Sequence, residues 1–201
     1  MKNLVASTLA VATLLVSTAA LSSTIPAAAN WTVNTTTLQN RASPGPTTSI
    51  TDVYGGVLLQ YDELSGGNNV GTATRQYDYT TGPAIGPEWL DLNIQYNAFH
   101  GFFQPDTGLF ITLNNIIHTA LIPFANNAGP GSVNALFKHI DLHLQTGDIW
   151  GIRAIAGNFD SGPGVTGDIR VTVPEPGTLA ILGLGLAGLG VDLDNTHVSA
   201  E

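Results

Sequence analysis

Two stretches of the chain alternate apolar and polar residues with a period of two. In Trp89–Asn97, Leu90, Leu92, Ile94 and Tyr96 share one parity, and Asp91, Asn93, Gln95 and Asn97 the other. In Phe137–Gln145, Ile140, Leu142 and Leu144 alternate with His139, Asp141, His143 and Gln145. Successive side chains of a strand point to opposite faces, so this pattern predicts antiparallel strands with one dry face and one wet face. Strands are predicted at Trp31–Leu38, Ile50–Tyr61, Val70–Thr80, Trp89–Tyr96, Leu109–Ile122, Val133–Gln145, Ile149–Ala156 and Val165–Val173. Clusters of Gly, Pro, Asn, Asp and Ser separate them, among them Ser43-Pro44-Gly45-Pro46, Ser65–Asn69, Asn126–Gly131 and Asp160–Gly164. Within the fifth strand, Leu113–Ala120 fits a short helix equally well by periodicity. Regular turn signals without a sustained helical period predict one all-β domain over residues 30–173, an antiparallel β-sandwich or jelly-roll-like fold.

The two ends follow different patterns. Met1-Lys2-Asn3 carries one positive charge, Leu4–Leu21 is apolar and small, and Ala27-Ala28-Ala29-Asn30 closes the stretch. A basic start, an apolar run and an Ala-x-Ala exit describe a secretory signal peptide over residues 1–29, with cleavage between Ala29 and Asn30. At the other end, Val173-Pro174-Glu175-Pro176-Gly177-Thr178 runs into Leu179–Val191, built only of Leu, Ile, Ala, Gly and Val. Two prolines in three residues forbid helix and sheet pairing, so Pro174, Glu175 and Pro176 form an extended linker open to a processing enzyme. The 14 residues Thr178–Val191 reach about 21 Å as a helix. That is short of the roughly 30 Å hydrocarbon core of a bilayer, so the predicted C-terminal helix spans only marginally or transiently. Glycines at 183, 185, 188 and 190 suit close helix contact in a membrane better than a helix in water.

A Pro-Glu-Pro triplet followed at once by a Gly/Leu helix, over residues 174–191, resembles the sorting signal of PEP-CTERM proteins. The resemblance implies export and recognition by an exosortase-type enzyme at the inner membrane. Transient inner-membrane association would then precede release to the cell surface or an exopolysaccharide matrix. The family pattern closes with a basic cluster, which the positive-inside rule would hold in the cytoplasm. Here residues 192–201 form an acidic tail, Asp192 to Glu201, without Lys or Arg.

Composition narrows the function classes. The chain has six Lys and Arg against 15 Asp and Glu, a net charge of −9. Nucleic-acid binding rests on clustered cations that release counterions, and this acidic chain lacks them. Charged residues make up only 10 % of the chain and hydrophobic residues 43 %, a balance that favours a folded core over disorder. With no Cys, disulfides, thiol catalysis and thiolate-bound zinc are excluded.

Candidate chemistry in the domain is sparse. His139, Asp141 and His143, at i, i+2 and i+4, share one strand face and offer ligand types suited to a divalent metal. A solvated strand face needs the same residue types. Asp160–Gly164 supplies oxygens for calcium or simply makes a turn. The aromatics Trp31, Trp89, Trp150, Tyr54, Tyr61, Tyr77, Tyr79 and Tyr96 serve either as core or as sugar-stacking platforms. Tyr77 and Tyr79, sharing a face beside Arg75, are the candidate carbohydrate-binding pair. Acidic pairs for glycoside hydrolysis can be drawn from Asp62, Glu63, Glu88 and Asp91, but sequence cannot set their separation. Nucleophile-elbow, phosphate-loop and dinucleotide motifs are missing from the sequence, so no catalytic residue is assigned. The expected protein is therefore non-enzymatic and exported, associated with the cell surface or extracellular polysaccharide. A carbohydrate-binding module and a metal-dependent hydrolase at His139, Asp141 and His143 are the alternatives.

Mass spectrometry of the native protein tests the reading of both ends. An N-terminus at Asn30 and a C-terminus near Pro174 are expected, and an intact Glu201 in secreted material would contradict the sorting reading.

Overall fold

The computed structural model describes residues 24–39, 46–63, 73–100, 106–124, 133–158 and 164–174. Ten strands form among them: β1 (Trp31–Gln39), β2 (Thr47–Val53), β3 (Gly56–Glu63), β4 (Ala73–Thr81), β5 (Glu88–Phe99), β6 (Asp106–Leu113), β7 (Ile116–Ile122), β8 (Val133–Leu144), β9 (Trp150–Asn158) and β10 (Val165–Thr172). Ala28–Asn30 makes a single 3-10 turn before β1. All pairings are antiparallel. One five-stranded sheet runs β1-β4-β9-β6-β7, the other β2-β3-β10-β5-β8, and together they make the β-sandwich the alternation predicts. Apart from the β2–β3 and β6–β7 hairpins, each connection carries the chain from one sheet to the other.

The sequence pattern merges two strand pairs that the fold separates. The run Ile50–Tyr61 is divided at Tyr54-Gly55, where Gly55 takes φ 73°. The run Leu109–Ile122 is divided at Asn114-Asn115, with φ of 52° and 65°. Two consecutive positive φ values are what a tight hairpin turn requires, and Asn tolerates them better than other side-chain-bearing residues. Leu113–Ala120 is consequently a hairpin turn with its flanking strands, not a helix. The turn is tied to the β8–β9 corner: Asn114 Nδ2 donates to Asp148 Oδ1 at 2.8 Å, and the Ile149 amide donates to Asn114 Oδ1 at 3.0 Å. The Asn114 bond, together with the Gln145 amide donating to Asp148 Oδ2 at 2.8 Å, holds the Asp148 carboxyl below its usual range.

The core lies between the inner faces of the sheets. From the first sheet come Trp31, Tyr77, Tyr79, Leu109, Ile111, Trp150 and Ile152, and from the second Leu59, Tyr61, Leu90, Leu92, Ile94, Tyr96, Leu142 and Ile169. Trp31 and Trp150 meet edge to face with centroids 5.0 Å apart. At the centre, Tyr61 of β3 stacks on Tyr77 of β4, at 4.6 Å and 15°. The Tyr61 and Tyr96 hydroxyls hydrogen-bond at 2.6 Å, and the Tyr79 hydroxyl donates to the Gln60 carbonyl across the sandwich at 2.5 Å. Each phenol thus brings a large apolar face and a satisfied polar tip, the arrangement that lets tyrosine be buried without an unpaired hydroxyl. On the outer face of the first sheet, Arg153 Nε donates to Asp78 Oδ1 at 2.5 Å between directly paired residues of β4 and β9.

The Tyr61 ring occupies the space above Gly167, its register partner on β10. A methyl group at residue 167 would overlap that ring, which is already stacked on Tyr77. Gly167→Ala is expected to destabilise the domain by about 1–3 kcal/mol, the usual penalty of overpacking, measured as a lower urea midpoint at unchanged slope.

Burial pushes the Tyr61 and Tyr79 hydroxyls above the ordinary phenol range, with nearby Tyr96 adding to both, and it pushes Tyr96 up to about 12. Unfolded tyrosines ionise near pH 10. Between pH 10 and 12 the unfolded chain therefore binds fewer protons than the folded one, and stability falls as pH rises. The stabilisation is complete below pH 10, and urea midpoints are expected to drop progressively above it.

Candidate functional site

The outer face of the β2-β3-β10-β5-β8 sheet is exposed and largely polar, and its β5–β8 edge carries the densest chemistry. Three successive cross-strand pairs of β5 and β8 stand side by side: Trp89 opposite His143, Asp91 opposite Asp141, and Asn93 opposite His139. A fourth, Gln95 opposite Phe137, continues the row. Six residues separate Trp89 from Gln95, so the row is about 20 Å long at the usual strand rise. Every one of these side chains belongs to the parity opposite Leu90, Leu92, Ile94, Ile140 and Leu142, which are buried. The dry face is thus anchored in the core, and the same register holds the wet face in place.

Trp89 is 69 % exposed and lies flat on His143, centroids 4.3 Å apart and planes at 20°. Gln145 Nε2 approaches the His143 ring nitrogens at 3.4 Å. In the next pairs, His139 Nε2 is 3.1 Å from Asp91 Oδ1 and 3.8 Å from Asp141 Oδ1. The other ring nitrogen, Nδ1, lies 3.2 Å from Asn93 Oδ1. Towards the opposite edge the face continues in polar residues, with Ser49 donating to Gln60 at 2.9 Å and Gln60 donating to Asp168 at 2.8 Å. The result is an exposed row with Trp89 at one end, Phe137, also 69 % exposed, at the other, and carboxylates, amides and imidazole between them.

The residues singled out from sequence fall differently. His139, Asp141 and His143 share the exposed face of β8, as the i, i+2, i+4 spacing implies. They do not converge on one point: the donor atoms within 4.8 Å of one another belong to Asp91, His139 and Asp141, while His143 is stacked on Trp89. Tyr77 and Tyr79 also share a face, but it is the inner one, and both are fully buried. Neither ring has a surface on which a sugar could stack, which corrects the candidate carbohydrate pair. Their neighbours Gln76 and Asp78 carry the outward parity of β4, which is the signal that places the tyrosines inside. Of the tryptophans, Trp31 and Trp150 are core and Trp89 is on the surface. The same rule finds Trp89, because it shares parity with Asp91 and Asn93. Among the acidic candidates, Glu88 and Asp91 carry opposite parities of β5, and Asp62 is in register with Thr166 and, beyond it, Phe99, far along β5 from Asp91.

Ala29 and Asn30 sit in the 3-10 turn ahead of β1. The Ala28 amide donates to Asp52 Oδ1 at 2.7 Å, and Trp31 Nε1 donates to the Pro26 carbonyl at 2.9 Å. At the other end the Val173 amide donates to the Gly55 carbonyl at 3.1 Å. Pro174 follows it, whereas Glu175, Pro176, the C-terminal apolar stretch and the acidic tail lie outside the described residues, as do residues 1–23 and Asp160–Pro163. Among the described residues, no helix is long and apolar enough to cross a membrane.

The fold defines an antiparallel β-sandwich with a polar, partly aromatic outer sheet face. Residues 172–191 match the PEP-CTERM protein-sorting motif. That motif indicates an exported protein and implies processing by an exosortase. No curated protein matches the sequence at a significant level. Solved structures similar to it include a family 35 carbohydrate binding module from Clostridium thermocellum, 17 % identical, covering 74 % of this chain and 95 % of that one, TM-score 0.32. Another is CBM35 from Paenibacillus barcinonensis, 15 % identical over 74 % of this chain and 96 % of that one, TM-score 0.28. A third is the enzymatically active domain of bacteriophage CBA120 tailspike protein 4, 12 % identical over 72 % of this chain but 19 % of that one, TM-score 0.32. At such TM-scores the likeness carries no weight for fold or function.

Proposed function

We propose that the sandwich is a non-catalytic module that holds extracellular polysaccharide on the outer face of the β2-β3-β10-β5-β8 sheet, at the cell surface or in the matrix. The observation that carries this reading is Trp89, 69 % exposed and lying flat on His143 at the head of a polar row. An indole face left in water offers an apolar surface on which a ligand can pack. The apolar face of a pyranose ring is a suitable partner. Gln95, Asn97 and Asp168 then supply acceptors and donors for ring hydroxyls along the same face. A row about 20 Å long, open at the sheet edge, suits an extended chain better than a small molecule, which needs a concave pocket. The sorting motif supports the same setting, because it directs the protein out of the cell.

Retention of the full chain on insoluble and soluble polysaccharides tests the reading. Trp89→Ala is expected to weaken retention about tenfold, the ~1.4 kcal/mol of a stacked aromatic contact. Ile116→Ala, exposed on β7 of the other sheet, should leave it unchanged. Retention that ignores Trp89 would place binding elsewhere, and release of reducing ends from the polysaccharide would turn the reading towards an enzyme.

A further inference from the structure

The strongest unassigned chemistry is the trio beside Trp89. Asp91 and Asp141 are directly opposite each other in the β5–β8 register, and like charges in that relation destabilise a sheet. His139 stands between them and Asn93, with both ring nitrogens facing oxygen atoms: Nδ1 faces Asn93 Oδ1, and Nε2 faces Asp91 and Asp141. A neutral imidazole has one N–H and one lone pair, so it can donate to only one side. With Nδ1–H given to Asn93, the Nε2 lone pair points at two carboxylates, three acceptors around one space. A cation held by all three groups satisfies that arrangement.

We infer that Asp91, His139 and Asp141 form a divalent-cation site of the zinc type, with Asn93 fixing the ring. The distances suit it. Zinc bonds to imidazole and carboxylate are about 2.0–2.2 Å, so two donors on one tetrahedral ion sit about 3.3 Å apart. The observed separations from Nε2 are 3.1 and 3.8 Å, and all three donor atoms lie within 4.8 Å of one another. Three protein ligands leave the fourth position to water on this open face. The Asn93 contact is the outer-shell bond that a metal-bound histidine makes through its other nitrogen, and it selects the tautomer with the Nε2 lone pair free. The mixed nitrogen and oxygen set favours a zinc-like ion over calcium, which takes six or more oxygens. The surrounding groups are compatible. On β8 the next outward residue is His143, engaged with Trp89, and on β10 Thr172 is opposite Asn93, with Arg170 one pair further at Gln95. The site crosses two strands, so it differs from the single-strand set His139, Asp141 and His143.

Calorimetric titration of zinc chloride into the full chain at neutral pH tests the site. One equivalent of zinc is expected to bind. Asp91→Asn and His139→Gln should each weaken it at least tenfold, and Asn93→Ala about 10- to 100-fold, the range for outer-shell partners. His118→Gln, on the other sheet, is the control for adventitious imidazole binding and should change nothing. These side chains are solvent-exposed or half-exposed, and circular dichroism of each variant confirms that the sandwich persists. Absence of saturable zinc binding overturns the proposal. Zinc binding indifferent to Asp91→Asn but lost with His143→Gln overturns it in favour of the single-strand set. Calcium binding at the same affinity, indifferent to His139→Gln, overturns it in favour of a carboxylate-only site.

Discussion

The two sheets are joined by phenols. With no cysteine in the chain, nothing covalent staples the sandwich, and its faces must be held by packing and a few cross-sheet hydrogen bonds. Tyr61 from one sheet stacks on Tyr77 from the other, Tyr79 donates across to the Gln60 carbonyl, and Tyr61 meets Tyr96 hydroxyl to hydroxyl. These contacts make the sheets register with each other as well as within themselves, because a hydroxyl buried without its partner carries a desolvation penalty of about 1–3 kcal/mol. The Tyr61 ring fits only because its opposite on β10 is Gly167. The geometry of the candidate site is inherited from that layer. Tyr96 holds β5 in place by its inner parity, and the same strand presents Trp89, Asp91 and Asn93 by its outer parity.

Sequence alternation reads this architecture well where a strand has one wet and one dry face. The β5 and β8 patterns mark both faces correctly, and the all-β class follows from the spacing of turns. It reads poorly where a hairpin turn is made of residues that also suit strands or where tyrosine is involved. Gly55 and Asn114-Asn115 each sit between two strand-like runs, and their positive φ values mark the turns. Tyrosine suits core and surface alike, so composition cannot sort Tyr77 and Tyr79 from Trp89. Parity can, once the polar residues Gln76, Asp78, Asp91 and Asn93 are taken as the wet side. What no single strand reveals is register between strands. Asp91 reaches His139 and Asp141 because β5 and β8 pair over their whole length, and that pairing is a long-range property of the fold.

The two outer faces of the sandwich hold their charges differently. On the β1-β4-β9-β6-β7 sheet, Asp78 and Arg153 form a largely buried pair, and Arg153 also donates to Asn115 Oδ1 at 2.6 Å, locking the β6–β7 turn against the sheet. A charge pair so little exposed is a positional device: removing one partner would strand the other. On the β2-β3-β10-β5-β8 sheet the charges stay exposed, and Trp89 is left without a protein cover beyond His143. Charge pairing on the first face is largely buried, whereas on the second it is open to solvent.

The last strand links this surface to the sorting motif. β10 is the central strand of its sheet, paired with β3 on one side and β5 on the other. Without Val165–Thr172 the sheet is two separate pairs, β2-β3 and β5-β8, each with an unpaired edge. The sheet therefore closes only when the final strand of the domain is inserted, a long-range step that must bring together segments far apart in the chain. The sorting motif begins at Thr172, the last residue of that strand, and the Val173 amide is still bonded to Gly55. Pro174 then ends the pairing, since it has no amide to give. The strand that completes the sheet and the matched motif therefore meet at Thr172.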